Sequence, residues 1–153
     1  MPFILAFLIG GVAGLRAMTA PAAVSWAAHL GWLPLQDTAL AFLGYSWTPW
    51  IFTILALGEF VTDQLPSTPS RTVPVQFGTR IVSGALCGAA VGAASGSLVG
   101  GLVAGAVGAV AGTLGGAGAR AKLAAAFGSD RPVALIEDAV AIVAGWLIVQ
   151  AVL

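Results

Sequence analysis

The chain has 153 residues, 59% of them hydrophobic and only 8% charged, far below the ~25% charged content of soluble domains. Six basic and six acidic residues cancel, which removes the electrostatic case for nucleic acid as a partner. The composition implies an integral membrane protein: one transmembrane domain over residues 1–153, the lipid bilayer around it, and no soluble domain.

The first apolar stretch, Phe3 to Leu33, is interrupted by Arg16 and Pro21. Proline removes a backbone hydrogen bond and clashes with the preceding turn. The stretch is therefore either one long kinked helix or two half-helices meeting near residues 16–21. It lacks the basic leader of a cleaved signal peptide and is expected to be retained. A mixed connection, Leu35 to Trp47, follows a turn at Pro34. Thr48 can cap the next helix with Pro49 in its first turn. That helix runs through Trp50–Leu65 and stops at Pro66.

Between Ile81 and Ala119 no residue is charged. Gly84, Gly88, Gly92, Gly96 and Gly100 recur every fourth residue, and Gly101/Gly105 and Gly108/Gly112/Gly116 repeat the spacing. In water each interior glycine would cost a helix ~1 kcal/mol relative to alanine. In lipid nothing else can bond the backbone, so the helix holds and the glycine stripe admits a close neighbour. At 1.5 Å per residue the stretch would be roughly 58 Å long, about twice the hydrocarbon thickness. It divides into two spans, about Val75–Ala94 and Leu98–Phe127, turning at Ser95-Gly96-Ser97. Gly128-Ser129-Asp130 ends the second, and a last helix opens with Pro132 and reaches Val152. The expected fold is all-α: a polytopic membrane helix bundle of about five spans, with glycine-zipper packing of the third and fourth.

Five crossings put Arg71 on the same face as Arg120, Lys122 and Arg131, which the positive-inside rule makes cytoplasmic. Trp32, Tyr45, Trp47, Trp50 and Trp146 fall at the opposite boundary, as an interfacial belt would. The N-terminus is then expected inside and the C-terminus outside. Two short echoes, Gly11–Gly14 with Ala109–Gly112 and Ala56–Glu59 with Ala134–Glu137, hint at an inverted repeat.

With so much hydrocarbon, the few charges carry the information, because a charge within a span costs ~2.5–3.5 kcal/mol on insertion scales. Glu59 and Asp63 share one helix face four residues apart. Arg80 lies two turns into its helix, Glu137 and Asp138 lie one to two turns into theirs with side chains ~100° apart, and Arg16 sits at the break. Arg16, Glu59, Asp63, Arg80, Glu137 and Asp138 are the candidates for ion binding or transport. The competing view of each is a static ion pair that fixes helix register. Ser67, Thr68, Ser70, Arg71 and Thr72 cluster hydroxyls around an arginine and can hold an anion or lipid headgroup, although hydroxyls between prolines are also ordinary turn formers. Arg120, Lys122 and Arg131 look like topology determinants. His29 and Cys87 are single, no metal-ligand spacing exists, and no metal or cofactor is expected. No phosphate loop, nucleophile elbow or dinucleotide fingerprint occurs, so an enzyme is not expected.

Gly14-Leu15-Arg16-Ala17, the run Gly58-Glu59 through Asp63 to Pro66, Thr68 through Thr72, Arg80 through Leu86, and Ala134 through Ile142 resemble the small bacterial membrane proteins of domain of unknown function 4126. Gln64 stands where many relatives are expected to carry a basic residue. The resemblance implies a bacterial inner-membrane protein and supplies no activity.

The leading expectation is a small transporter or channel for a proton, an ion or a small polar solute, acting as a homo-oligomer. The alternatives are a non-transporting assembly partner that docks other helices through its glycine stripes, and a protein that binds lipid headgroups.

Overall fold

The computed structural model describes residues 2–36, 38–62, 74–128 and 131–152, and among these the regular elements are all helical. They are α1 (Pro2–Leu15), α2 (Thr19–His29), a 3-10 turn (Ala41–Gly44), α3 (Thr48–Thr62), α4 (Pro74–Ala94), α5 (Leu98–Phe127) and α6 (Arg131–Ala151). Composition and length make Val75–Ala94, Leu98–Phe127 and Pro132–Ala151 long and apolar enough to cross a membrane.

Local chemistry sets the boundaries. Gly96 turns between α4 and α5 with φ +86°, and Gly128 ends α5 in the left-handed region with φ +71°, where only glycine is free of strain. Gly96 is thus a turn residue and not part of the packed stripe. Thr48 does not act as the expected cap. Its hydroxyl donates to the Phe42 carbonyl at 2.7 Å, tying the 3-10 turn to the start of α3.

The first apolar stretch breaks at residues 16–18 and reverses direction. Val12 and Ala23 both lie against the Gly145 position, although a continuous helix would separate them by about 16 Å along its axis. Contacts fix the sense of each helix. Phe3 lies near Gly100 and Gly11 near Gly112, so α1 and α5 run parallel. Gly84 lies near Gly10 while Arg80 bonds Gly14, so α1 and α4 run antiparallel. Trp26 bonds Thr53 while Glu59 bonds Ala17, so α2 and α3 are antiparallel. Arg16 meets Glu137 near the start of α6 and Trp32 meets Trp146 near its end, so the six described helices alternate in direction, and α1 starts at the end of the bundle where α6 finishes. The sequence reading expects an odd number of crossings and termini on opposite faces. The hairpin adds a reversal that a kinked span would not have. At 14 and 11 residues, α1 and α2 are only about 21 and 16 Å long, short of the ~30 Å hydrocarbon core. The two echoes also separate: Gly11–Gly14 and Ala109–Gly112 lie side by side in parallel helices, whereas α3 and α6 run in opposite senses.

Glycine makes the contacts among α1, α4 and α5 possible. A Cβ added to Gly88 or Gly105 would lie within 3.0 Å of the facing backbone between α4 and α5, and one on Gly10, Gly108 or Gly112 would strike the backbone between α1 and α5. Gly84 and Gly92 meet α5 in the same way. Gly100 faces the Phe3 ring of α1, so the seam joins three helices. Around it Ile9, Val12, Val24, Val91 and Val149 form the apolar core. At the end where α2 finishes, Trp32 and Trp146 meet edge to face at 5.0 Å.

Candidate functional site

Reversing a helix leaves backbone groups that need new partners. In a continued helix the Ala17 and Met18 N–H groups would bond the carbonyls of residues 13 and 14. Here they donate to the two carboxylate oxygens of Glu59, at 3.0 and 3.3 Å. The carboxylate thereby sits at the N-terminal, positive end of α2. Pro21 has no N–H for the Ala17 carbonyl, and that carbonyl accepts instead from the Ser83 hydroxyl. At the C-terminal, negative end of α1, Gly14 accepts from Arg80 Nη1 at 2.9 Å and from the Thr113 hydroxyl at 3.4 Å. The Leu15 carbonyl accepts from Arg16 Nη1 at 3.2 Å.

Arg16 is the centre of the tip and is fully buried, 0% exposed. Its Nε donates to Asp138 Oδ1, its Nη1 lies 3.2 Å from Glu137 Oε1, and its Nη2 donates to the Ala134 carbonyl at 3.4 Å. The two carboxylates diverge on α6, yet the planar fork of one guanidinium reaches both, since its donors point in several directions. Glu137 also meets Arg120 of α5, at 3.8 Å through its other oxygen.

Of the six transport candidates, the structure brings Arg16, Glu59, Arg80, Glu137 and Asp138 to the hairpin tip. Arg120, expected only to set topology, joins them. Three arginines and three carboxylates sum to zero formal charge and make up half of the charged residues in the chain. Asp63 and the hydroxyl cluster Ser67, Thr68, Ser70, Arg71 and Thr72 lie outside the described residues. Ser83 and Thr113 are the participants that sequence reasoning missed. Pro21 signals that the Ala17 carbonyl needs a donor, but nothing in the sequence says which helix supplies it. Among the described residues no group of three or more His, Cys, Asp or Glu is placed to hold a metal ion.

Two cavities flank the tip. One of about 140 Å³ between α5 and α6 is lined by Leu15, Gly116 and other small or apolar residues, with Arg120 and Glu137 as its charged members. The other, about 330 Å³, lies among α2, α3 and α4 and borders Met18, Pro21 and Ser83. The arrangement holds compensated charge beside two buried helix ends whose backbone groups are bonded by side chains, and its carboxylates are the groups that can exchange a proton or ion.

A family model, Domain of unknown function (DUF4126), matches residues 3–152, and the chain belongs to that family. No curated protein and no solved structure matches it.

Proposed function

We propose that this member of the family, a helical membrane protein, is a small transporter or channel for a proton, an ion or a small polar solute, with the α1–α2 tip as its centre. One observation carries the proposal: a helical hairpin too short to cross turns inside the bundle, and Glu59, Arg16 and Arg80 hold its open backbone ends. Non-helical backbone at membrane depth is tolerated where protein buries it or where it lines a cavity, and broken helices commonly form transport sites.

In this reading the glycine seam is a zipper that fixes α1, α4 and α5 while the hairpin tip and the carboxylates of α3 and α6 do the work. The end bearing Arg120, Lys122 and Arg131 faces the cytoplasm of a bacterial inner membrane. Both termini then lie on the outer side, and the protein works as a homo-oligomer without enzymatic chemistry. The competing reading, an assembly partner, needs a glycine stripe open to other helices. Gly84, Gly88 and Gly92 are already in contact with α5.

Proton and cation flux into proteoliposomes tests the proposal with wild type, Glu59→Gln and Glu137→Gln. Flux in wild type that is lost in a folded Glu59→Gln protein supports it. Flux that is unchanged in both variants removes these carboxylates from any path.

A further inference from the structure

A separate pocket of about 320 Å³ lies at the other end of α2 from the tip, where the 3-10 turn packs back on the helix. Ala28, Leu33 and Leu35, each buried, give it an apolar floor, and His29, Gln36 and Tyr45 bring polar side chains to its wall. Gly44 makes the fold-back possible: a Cβ there would stand 3.3 Å from the Ala28 backbone. The close approach sets the Gly44 carbonyl 3.2 Å from His29 Nδ1.

That contact fixes the chemistry of the ring. A carbonyl oxygen only accepts, so Nδ1 carries the hydrogen, and in the neutral imidazole the lone pair belongs to Nε2. Among the described residues Nε2 has no partner, and neither has the Gln36 amide or the Tyr45 hydroxyl. The pocket therefore presents one acceptor that needs a donor, beside two side chains that each donate and accept. None of the described residues lining it is acidic, lysine or arginine, so nothing there compensates a charge on a ligand. Its volume falls at the small end of ligand sites, roughly 300–1,000 Å³. Several hydroxyls on a compact carbon ring match both parts, the hydroxyls meeting the three side chains and the C–H groups the leucine floor.

We infer that this pocket binds a neutral polyhydroxylated ring, the chemistry of a monosaccharide, with one hydroxyl donating to His29 Nε2. Trp26 meets the His29 ring edge to face at 6.1 Å, and Tyr45 adjoins Trp47 at 6.2 Å, an aromatic setting that belongs at headgroup depth. At that depth a sugar arrives as a free solute or as the headgroup of a glycolipid. The site needs no transport step, so it and the flux assay fail independently.

His29 is the only histidine, which makes its carbethoxylation by diethyl pyrocarbonate a readout of Nε2. The protein is held in phosphatidylcholine vesicles, and modification of the His29 peptide is followed by mass spectrometry. Methyl glucoside on both sides of the membrane, or monoglucosyl diacylglycerol within it, should slow the reaction while added N-acetylhistidine reacts at its usual rate. Protection by either supports the site: the first alone marks a solute, the second alone a headgroup, and both mark recognition of the ring in either form. Gln36→Ala and Tyr45→Phe should each raise the half-protecting concentration about fivefold, the factor for one net hydrogen bond of about 1 kcal/mol. Both side chains are exposed, and without sugar His29 should react in both variants as in wild type. Protection by neither glucoside overturns the assignment, as does equal protection by fully O-methylated methyl glucoside, which has no donor. Unchanged half-protecting concentrations in both variants overturn the convergence of the three side chains.

Discussion

Ser83 supplies to the Ala17 carbonyl the hydrogen bond that Pro21 is chemically unable to make. Pro21 sits three residues into α2, where its missing N–H leaves the carbonyl four residues back without a helical donor. Replacing Ser83 by alanine leaves that carbonyl buried and unbonded, at an expected cost of about 1–3 kcal/mol. In a Pro21→Ala background, residue 21 regains an N–H and the cost of Ser83→Ala should fall. Unfolding of the four proteins in detergent measures the coupling. Strictly additive effects would mean that the two residues do not share the carbonyl.

Arg16 holds together more groups than a lysine can reach, because three of its nitrogens bond different partners. Arg16→Met leaves Glu137 and Asp138 without their central cation and should destabilise by about 3–5 kcal/mol, as when one member of a buried pair is lost. Arg16→Lys should recover only part of this, since an ammonium is a point charge without the fork. Combining Arg16→Met with Glu137→Gln and Asp138→Asn should restore stability above that of Arg16→Met alone. A triple variant no more stable than the single one would show that charge imbalance is not the cause.

Glu59 acts through two backbone N–H groups, so its loss has a local signature. Glu59→Ala should cost about 0.5–2 kcal/mol, the range for losing a helix cap. Hydrogen exchange at Ala17 and Met18 should accelerate more than at Val24 in the middle of α2. Glu59→Gln keeps one acceptor oxygen and should lie between wild type and Glu59→Ala. Uniform acceleration along α2 would contradict a capping role.

Glycines within α5 divide into two kinds. At Gly105 a Cβ would press on the backbone of Gly84 and Gly88, whereas at Gly115 it would meet nothing. Gly105→Ala should therefore destabilise by about 1–3 kcal/mol through overpacking. Gly115→Ala should be neutral or stabilising by up to about 1 kcal/mol, the helical advantage of alanine. Thermal unfolding of the two variants is a matched comparison within one helix.

The elements governed by local chemistry were legible in the sequence. Helical glycine spacing, an uncharged run too long for one crossing and the Ser95–Ser97 turn located α4 and α5 to within a residue. Arg16 and Pro21 likewise marked the break. What they could not reveal was its angle: proline and arginine both interrupt a helix, but whether the chain bends or returns depends on what packs beside it. Here Gly145 leaves room for both Val12 and Ala23. The role of Glu59 was hidden for the same reason. Its i,i+4 relation to Asp63 is a feature of one helix, while its partners Ala17 and Met18 lie 42 and 41 residues away. Arg80 and Thr113 converge on one carbonyl, of Gly14, from separate helices, a meeting that no periodicity within either helix encodes.

The origin of the tip's partners bears on how the chain is made. Glu59, Arg80, Ser83, Thr113, Glu137 and Asp138 all follow the α1–α2 turn in sequence. A nascent chain emerging from the ribosome presents the turn first and its last partners only when α6 has been synthesised. Until then Arg16 has no carboxylate from α6, and the two short helices cannot span the bilayer as a finished unit. The contacts of the hairpin tip are thus complete only once α6 is in place, and a chain cut before Glu137 would leave Arg16 without either of its α6 carboxylates.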